Sequence, residues 1–325
     1  MHRLLVLGVF MLSLASASAV FAGRDDERVL IEESSQRAEE VVVFWTPERL
    51  RAAKGILPIV SETDLRTAGA EERVFSKAAS AAPLFTSSRI VPQAADSSYP
   101  YSTVGRLTFT IPGQGTASCS GAVISRRLVL TAGHCVHKGS GGTAGFYTNF
   151  MFTPSYRAGA APYGNWTVTA FAVTTAWASG NAKLPNSGDF AVLEIADQQG
   201  HRIGDVTGWL GVLTNRLYPN VVTSLGYPSN IDSGQLMHQV VSQSIGSTGA
   251  GTYAYGSDMG HGSSGGPWVQ SFGIPGSGQS GVFDAIVGVT SFGVEGSNKV
   301  SSSTFDANAL SMVNQVCVHQ TGNCN

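Results

Sequence analysis

Gly260-His261-Gly262-Ser263-Ser264-Gly265-Gly266-Pro267 is the stretch on which the reading of this sequence turns. Glycine admits positive φ and lets other chains approach the backbone closely. A serine on such a turn presents its hydroxyl and its own N–H from a rigid position. An activated hydroxyl beside converging backbone N–H groups is what acyl transfer requires. A plain Gly/Ser surface loop has the same composition, and Gly246-Ser247-Thr248-Gly249-Ala250-Gly251 is a second stretch of that kind. The rest of the chain has to decide.

The chain has 325 residues and a net charge of -2, enough for one large or two moderate domains. That charge argues against nucleic acid or an anionic membrane as partner, since either calls for a basic patch. The charges are unevenly placed. Residues 23–89 hold ten Lys/Arg and twelve Asp/Glu, whereas residues 90–325 hold nine and ten. The first stretch therefore reads as a charged pro-segment, with helices expected over residues 25–40 and 47–54. Residues 78–83 are small and loose, suited to a linker. Arg89-Ile90-Val91 offers either a cleavage point or an ordinary linker arginine. Residues 1–22 read as a signal peptide: Arg3, an apolar run from Leu4 to Val20, and small residues around Ala19 and Ala22. Its removal would leave no membrane anchor, so a secreted location, extracellular or periplasmic, is expected. Cys119, Cys135, Cys317 and Cys324 form an even set in an exported chain, which favours disulfides. Three pairings are open; the sequence-local ones, Cys119 with Cys135 and Cys317 with Cys324, are preferred. Nothing calls for a cofactor or metal, and a monomer is expected.

From Tyr99 onward the texture is of short β-rich runs separated by Gly, Pro, Asn and Ser. Strands are expected at 104–110, on both sides of Ser125-Arg126-Arg127, and at 166–175, 190–195, 221–227, 237–243, 267–270 and 285–292. This spacing predicts an all-β sandwich or barrel. Asp306 can cap a C-terminal helix over 307–316, with Leu310 and Val313 on one face.

Two further stretches bear on the glycine–serine turn. Thr131-Ala132-Gly133-His134-Cys135 follows the apolar strand Leu128-Val129-Leu130. Ser187-Gly188-Asp189 heads the run Phe190-Ala191-Val192-Leu193. Taken alone, His134 could be a structural histidine and Asp189 a strand cap. In the order His134, Asp189, Ser264 the three motifs resemble the chymotrypsin-fold (trypsin-like) serine peptidases over residues 90–316. Gly262-Ser263-Ser264-Gly265-Gly266-Pro267-Trp268 and Leu225-Gly226-Tyr227-Pro228 are more similar to the secreted bacterial V8-like, glutamyl endopeptidase-like members.

The resemblance implies two Greek-key six-stranded β-barrels packed around a cleft: residues 90–205 with His134 and Asp189, and 206–325 with Ser264 and the terminal helix. It implies Ser264 as nucleophile, His134 as base, Asp189 as its orienting partner, and the N–H groups of Gly262 and Ser264 as oxyanion hole. It matches Cys119–Cys135 to the disulfide behind the histidine loop. It makes Thr290, Ser291, Phe292 and Gly293 the strand that pairs with a peptide or protein substrate, with Ser291 near Asp189. Asp258 falls at the position that gives trypsins their preference for Lys or Arg. Thr290 and Met259 stand where glutamate-specific members carry a histidine and a hydroxyl residue. Ser263 stands where zymogens of the trypsin type carry an aspartate. Basic, broad and acidic P1 preferences therefore stay open. The function implied is a secreted serine endopeptidase. The alternative is a catalytically silent homologue acting as an extracellular binding module.

Overall fold

The computed structural model describes residues 29–75, 85–273 and 284–324. The signal-peptide stretch, the linker at 78–83 and the start of the first expected helix lie outside them.

The chain enters as β1 (Val29–Glu33), α1 (Ala38–Phe44), α2 (Pro47–Ala52), β2 (Lys54–Gly55), β3 (Ile59–Val60), α3 (Glu62–Thr67) and β4 (Phe85–Arg89). The expectation of helix over 25–40 fails at Val29–Glu33. This apolar run instead pairs antiparallel with an edge of the first barrel, because ladder hydrogen bonds and burial outweigh weak local helix propensity. Pro47 occupies the first helical turn of α2, and Thr46 Oγ1 caps it by accepting from Arg49 N–H, as its missing donor and fixed φ favour.

The first barrel holds β5 (Val104–Ile111), β6 (Gly115–Val123), β7 (Leu128–Thr131), β8 (Thr148–Pro154), β9 (Trp166–Thr174) and β10 (Ala191–Ile195), with α4 (Thr175–Ala178) before β10. Its order is β9-β10-β7-β6-β5-β8, closed by β8 against β9. After α5 (Ile203–Thr207) and the short β11 (Gly211–Val212) come β12 (Val221–Gly226), β13 (His238–Gly249), β14 (Thr252–Gly256), β15 (Pro267–Gln270), β16 (Ala285–Val294) and β17 (Lys299–Ser303). These close as β16-β15-β12-β13-β14-β17, with β17 returning to β16. Both barrels are six-stranded and antiparallel. In each, a fourth strand returns beside the first of a three-strand meander (β8 beside β5, β15 beside β12), the Greek-key order.

The barrel interiors are apolar. Leu107, Phe109, Phe152, Val129 and Leu193 are fully buried in the first, and Phe109 stacks on Phe150 at 5.4 Å. In the second, Tyr255 meets Trp268 edge-on at 4.6 Å. Burying each such side chain contributes about 1.5–3 kcal/mol.

Among the barrel strands, β8, β14 and β17 were not expected. β13 also runs on to Gly249, through residues whose glycines suggest a loop. The terminal helix α6 (Ala307–His319) is capped as expected, with Asp306 accepting from Asn308 and Ala309 N–H. Its buried face is Ala309, Met312 and Val316, and Leu310 is exposed. The expected face is displaced because the helix docks along the i, i+3, i+7 row rather than the neighbouring one. Both sequence-local disulfides are formed, Cys119–Cys135 and Cys317–Cys324.

Candidate active site

β7 delivers the chain into a single 3-10 turn, Gly133–Cys135, that carries His134. The Cys119–Cys135 bridge fixes this turn to β6. Asp189 precedes β10, which pairs with β7, so the two residues arrive at the same end of adjacent strands. The Asp189 carboxylate is fully buried and grips His134 twice. Oδ1 accepts from the His134 backbone N–H at 2.8 Å and Oδ2 faces Nδ1 at 2.8 Å. Ser291, on β16 of the other barrel, donates its hydroxyl to the same Oδ2 at 2.5 Å. The arrangement places the histidine proton on Nδ1 and leaves Nε2 as the acceptor. Gly133 gives the carboxylate its room, since a Cβ there would lie 3.1 Å from Asp189 Oδ1 and 3.0 Å from the Trp177 ring.

The glycine–serine stretch is a tight turn and not a surface loop. Gly262 and Gly265 hold φ of 95° and 74°, which favour glycine. Gly265 N–H donates to Thr290 O and Thr290 N–H to Gly266 O, which ties the turn to β16. From the first barrel, Ser120 N–H donates to Ser264 O at 2.7 Å, and Ser120 Oγ donates to Gly262 O at 2.8 Å. Ser264 is fully buried, and both its Oγ and His134 Nε2 are without a hydrogen-bond partner among the described residues. Ser263 satisfies itself locally, its hydroxyl donating to Gly260 O at 2.7 Å.

Thr290 and Phe292 are buried, Thr290 Oγ1 accepting from Trp268 Nε1–H. Asp258 Oδ1 accepts from Ser87 of β4, whose hydroxyl also contacts His238 Nε2 at 2.9 Å. Burial holds the His238 imidazole below its ordinary pKa. His261 is exposed. Cys119, His134 and Cys135 lie close together, but both sulfurs are in the disulfide, which leaves no thiolate for a metal.

Residues 119–273 match the family model of the trypsin-like peptidase domain. Over those residues the chain resembles a trypsin-like peptidase. It is similar to a glutamyl endopeptidase of Bacillus licheniformis, 29% identical over 138 residues, or 42% of this chain and 39% of that protein. The chain thus spans about two fifths of the length of that curated relative. Among solved structures it is similar to the protease Anisep from Arthrobacter nicotinovorans, with 28% identity and a TM-score of 0.60 over 72% of this chain and all of that one. It is also similar to the thermostable serine protease AL20 from an extremophilic microorganism, with 26% identity and a TM-score of 0.60 over 70% of this chain and all of the other.

The sequence reading passed over Ser120, whose backbone and hydroxyl brace the serine turn from the opposite barrel. It also passed over the run Gly55-Ile56-Leu57-Pro58-Ile59-Val60. That run shows itself in the sequence as six uncharged residues inside an otherwise highly charged segment.

Proposed function

We propose that this chain is an exported serine endopeptidase with His134, Asp189 and Ser264 as its triad. The observation that carries the reading is the pair of unpartnered buried atoms, Ser264 Oγ and His134 Nε2, beside an imidazole already held by Asp189. These are the two atoms between which the first proton would pass. Ser264 Oγ attacks the substrate carbonyl carbon as Nε2 takes its proton. The oxyanion is received by the N–H groups of Gly262 and Ser264, an effect worth about 10²–10³ in rate per donor. His134 then protonates the leaving amine as the C–N bond breaks, which leaves an ester on Ser264. Water, deprotonated by the same imidazole, hydrolyses that ester and restores the serine. The Asp189 carboxylate steadies the imidazolium, with Ser291 holding its Oδ2. Export is supported by the apolar N-terminus and by two disulfides; the charged stretch 23–89 is read as a pro-segment removed on maturation.

A fluorophosphonate probe tests this. It should label the matured protein and leave Ser264→Ala unlabelled. A matured, folded protein that takes no label would instead favour the silent binding module.

A further inference from the structure

We propose that Gly55–Val60 is a built-in occupant of the cleft, laid across the serine turn in a polarity that resists cleavage, and that the N-terminal segment binds the peptidase domain as a non-covalent inhibitor even when it is a separate chain. The proposal rests on the reading of Ser264 as nucleophile.

The contacts run through the site from one barrel to the other. Lys54 and Gly55 pair parallel with Ala117 and Ser118 of β6, and Ile56 N–H donates to Ser118 O at 3.1 Å. The Ile56 carbonyl then accepts from Gly262 N–H at 2.9 Å, one of the two donors assigned to the oxyanion. Beyond it, Gly293 N–H donates to Pro58 O at 2.8 Å, and Glu295 N–H to Val60 O at 3.0 Å. Ile59 and Val60 pair parallel with Gly293 and Val294. The segment thus takes up the strand edge expected to receive substrate and one oxyanion donor at once. Gly55 is what permits the approach. A Cβ there would lie 2.2 Å from Ser229 Oγ and 2.7 Å from Gly262 N, so no other residue fits without displacing the turn.

Polarity explains why such a segment would survive. The residues before the Ile56 carbonyl lie along β6, next to the bridge that backs the His134 turn. Those after it lie along β16. Attack at Ile56 would expel the Leu57 amine toward β16, away from the wall that carries its proton donor. Apolar anchors hold the segment down: Leu57 is buried, and Val60 and Leu65 pack with Phe292 and Val294.

The full chain is compared with its Gly55→Leu and Ser264→Ala variants by the rate of fluorophosphonate labelling. Wild type should label slowly and Ser264→Ala not at all. Gly55→Leu should label faster by on the order of tenfold or more, the factor that 1.4 kcal/mol of lost contact gives. Val60→Asp, which puts a carboxylate among the buried anchors, replaces Gly55→Leu if the latter fails to fold. A synthetic peptide of residues 51–61, added to the faster variant, should restore slow labelling and be recovered intact by mass spectrometry. Wild type labelling as fast as Gly55→Leu and Val60→Asp would overturn the inference and leave Ser264's reactivity standing. Cleavage of the peptide between Ile56 and Leu57 would overturn the polarity argument. No labelling in any chain with an intact β-sheet circular dichroism spectrum would remove the nucleophile reading, and this inference with it.

Discussion

The N-terminal segment, residues 29–75, and the two barrels hold together by different means. Barrel strands are four to twelve residues long and close on themselves around side chains with no exposure, such as Leu107, Phe109, Trp268 and Val287. The segment has helices of six or seven residues, too short to stand alone in water. Its internal ion pairs, such as Arg37–Glu40, Arg66–Glu62 and Arg66–Glu72, lie on the surface, where such pairs add little. It persists by borrowing: strand edges on both barrels, and an indole N–H from Trp45 donated to Asn149 O at 2.6 Å. The segment sits on the barrels as a guest, with its strand edges paired to theirs. The strand β4 differs from the rest of the N-terminal stretch. It pairs along five residues of β13, its Arg89 is ion-paired with Asp232, and the next residue, Ile90, is buried.

That contrast can be broken or sharpened experimentally. The largest effect should come from within the barrels. Asp189→Asn keeps the shape but favours the wrong imidazole tautomer, so kcat of the matured enzyme should fall by about 10⁴. A fall of less than tenfold would dissociate Asp189 from the chemistry. Next, two leucines of like burial separate guest from host. Leu107→Ala should cost about 2–5 kcal/mol of global stability in denaturant titration. Leu50→Ala, in α2, should leave the global midpoint in place and speed hydrogen exchange only in residues 29–75. Coincident shifts for both would show that segment and barrels unfold as one.

A smaller change is expected at Asp258, half-buried and bonded to Ser87 of β4. If its carboxylate reads a cationic P1 side chain, Asp258→Asn should reduce Lys/Arg cleavage by roughly tenfold or more in a peptide library, the scale of one lost charge-assisted hydrogen bond. Absence of Lys/Arg enrichment in wild type would remove that role. The smallest effect is in pH. Burial lowers the pKa of His137 and His238 below the usual 6.5, so the unfolded chain takes up protons first as pH falls. Their contribution is complete above about 6.5 and is lost below it. Melting temperature should therefore decline from pH ~6.5 toward ~5, and His238→Gln should flatten the decline. Both residues belong to the barrels, so a response confined to the segment's exchange would contradict the assignment.

The sequence displays the barrels and the site far better than the guest. His134, Asp189 and Ser264 stand in short local motifs, because each must be fixed by its immediate neighbours: a disulfide, a strand head, a glycine turn. The long ladders β5, β9 and β16 announce themselves by β-branched and aromatic runs. The two-residue pairings β2 and β3 carry no periodicity at all. Their meaning lies in which backbone edges they meet, and that is a tertiary fact. β13 is masked for a related reason, since Gly246 and Gly249 suggest a loop although the ladder to β14 runs through Gly246 and ends only at Gly249. The Leu310 face of α6 is misjudged because two adjacent helical rows are equally apolar, and only docking chooses between them.

Arg106 shows what separation of the two parts entails. It is a first-barrel residue, almost wholly buried, with its guanidinium lying over Tyr156. It donates to the carbonyls of Leu50 and Ala53 at the end of α2, where the helix leaves its own carbonyls unpaired and partly negative. The segment is therefore a solvation shell for a barrel cation, made of peptide oxygens in place of water. Were it removed, that cation would have to be hydrated afresh, and a positive site that the intact chain hides would become part of the surface that other molecules meet.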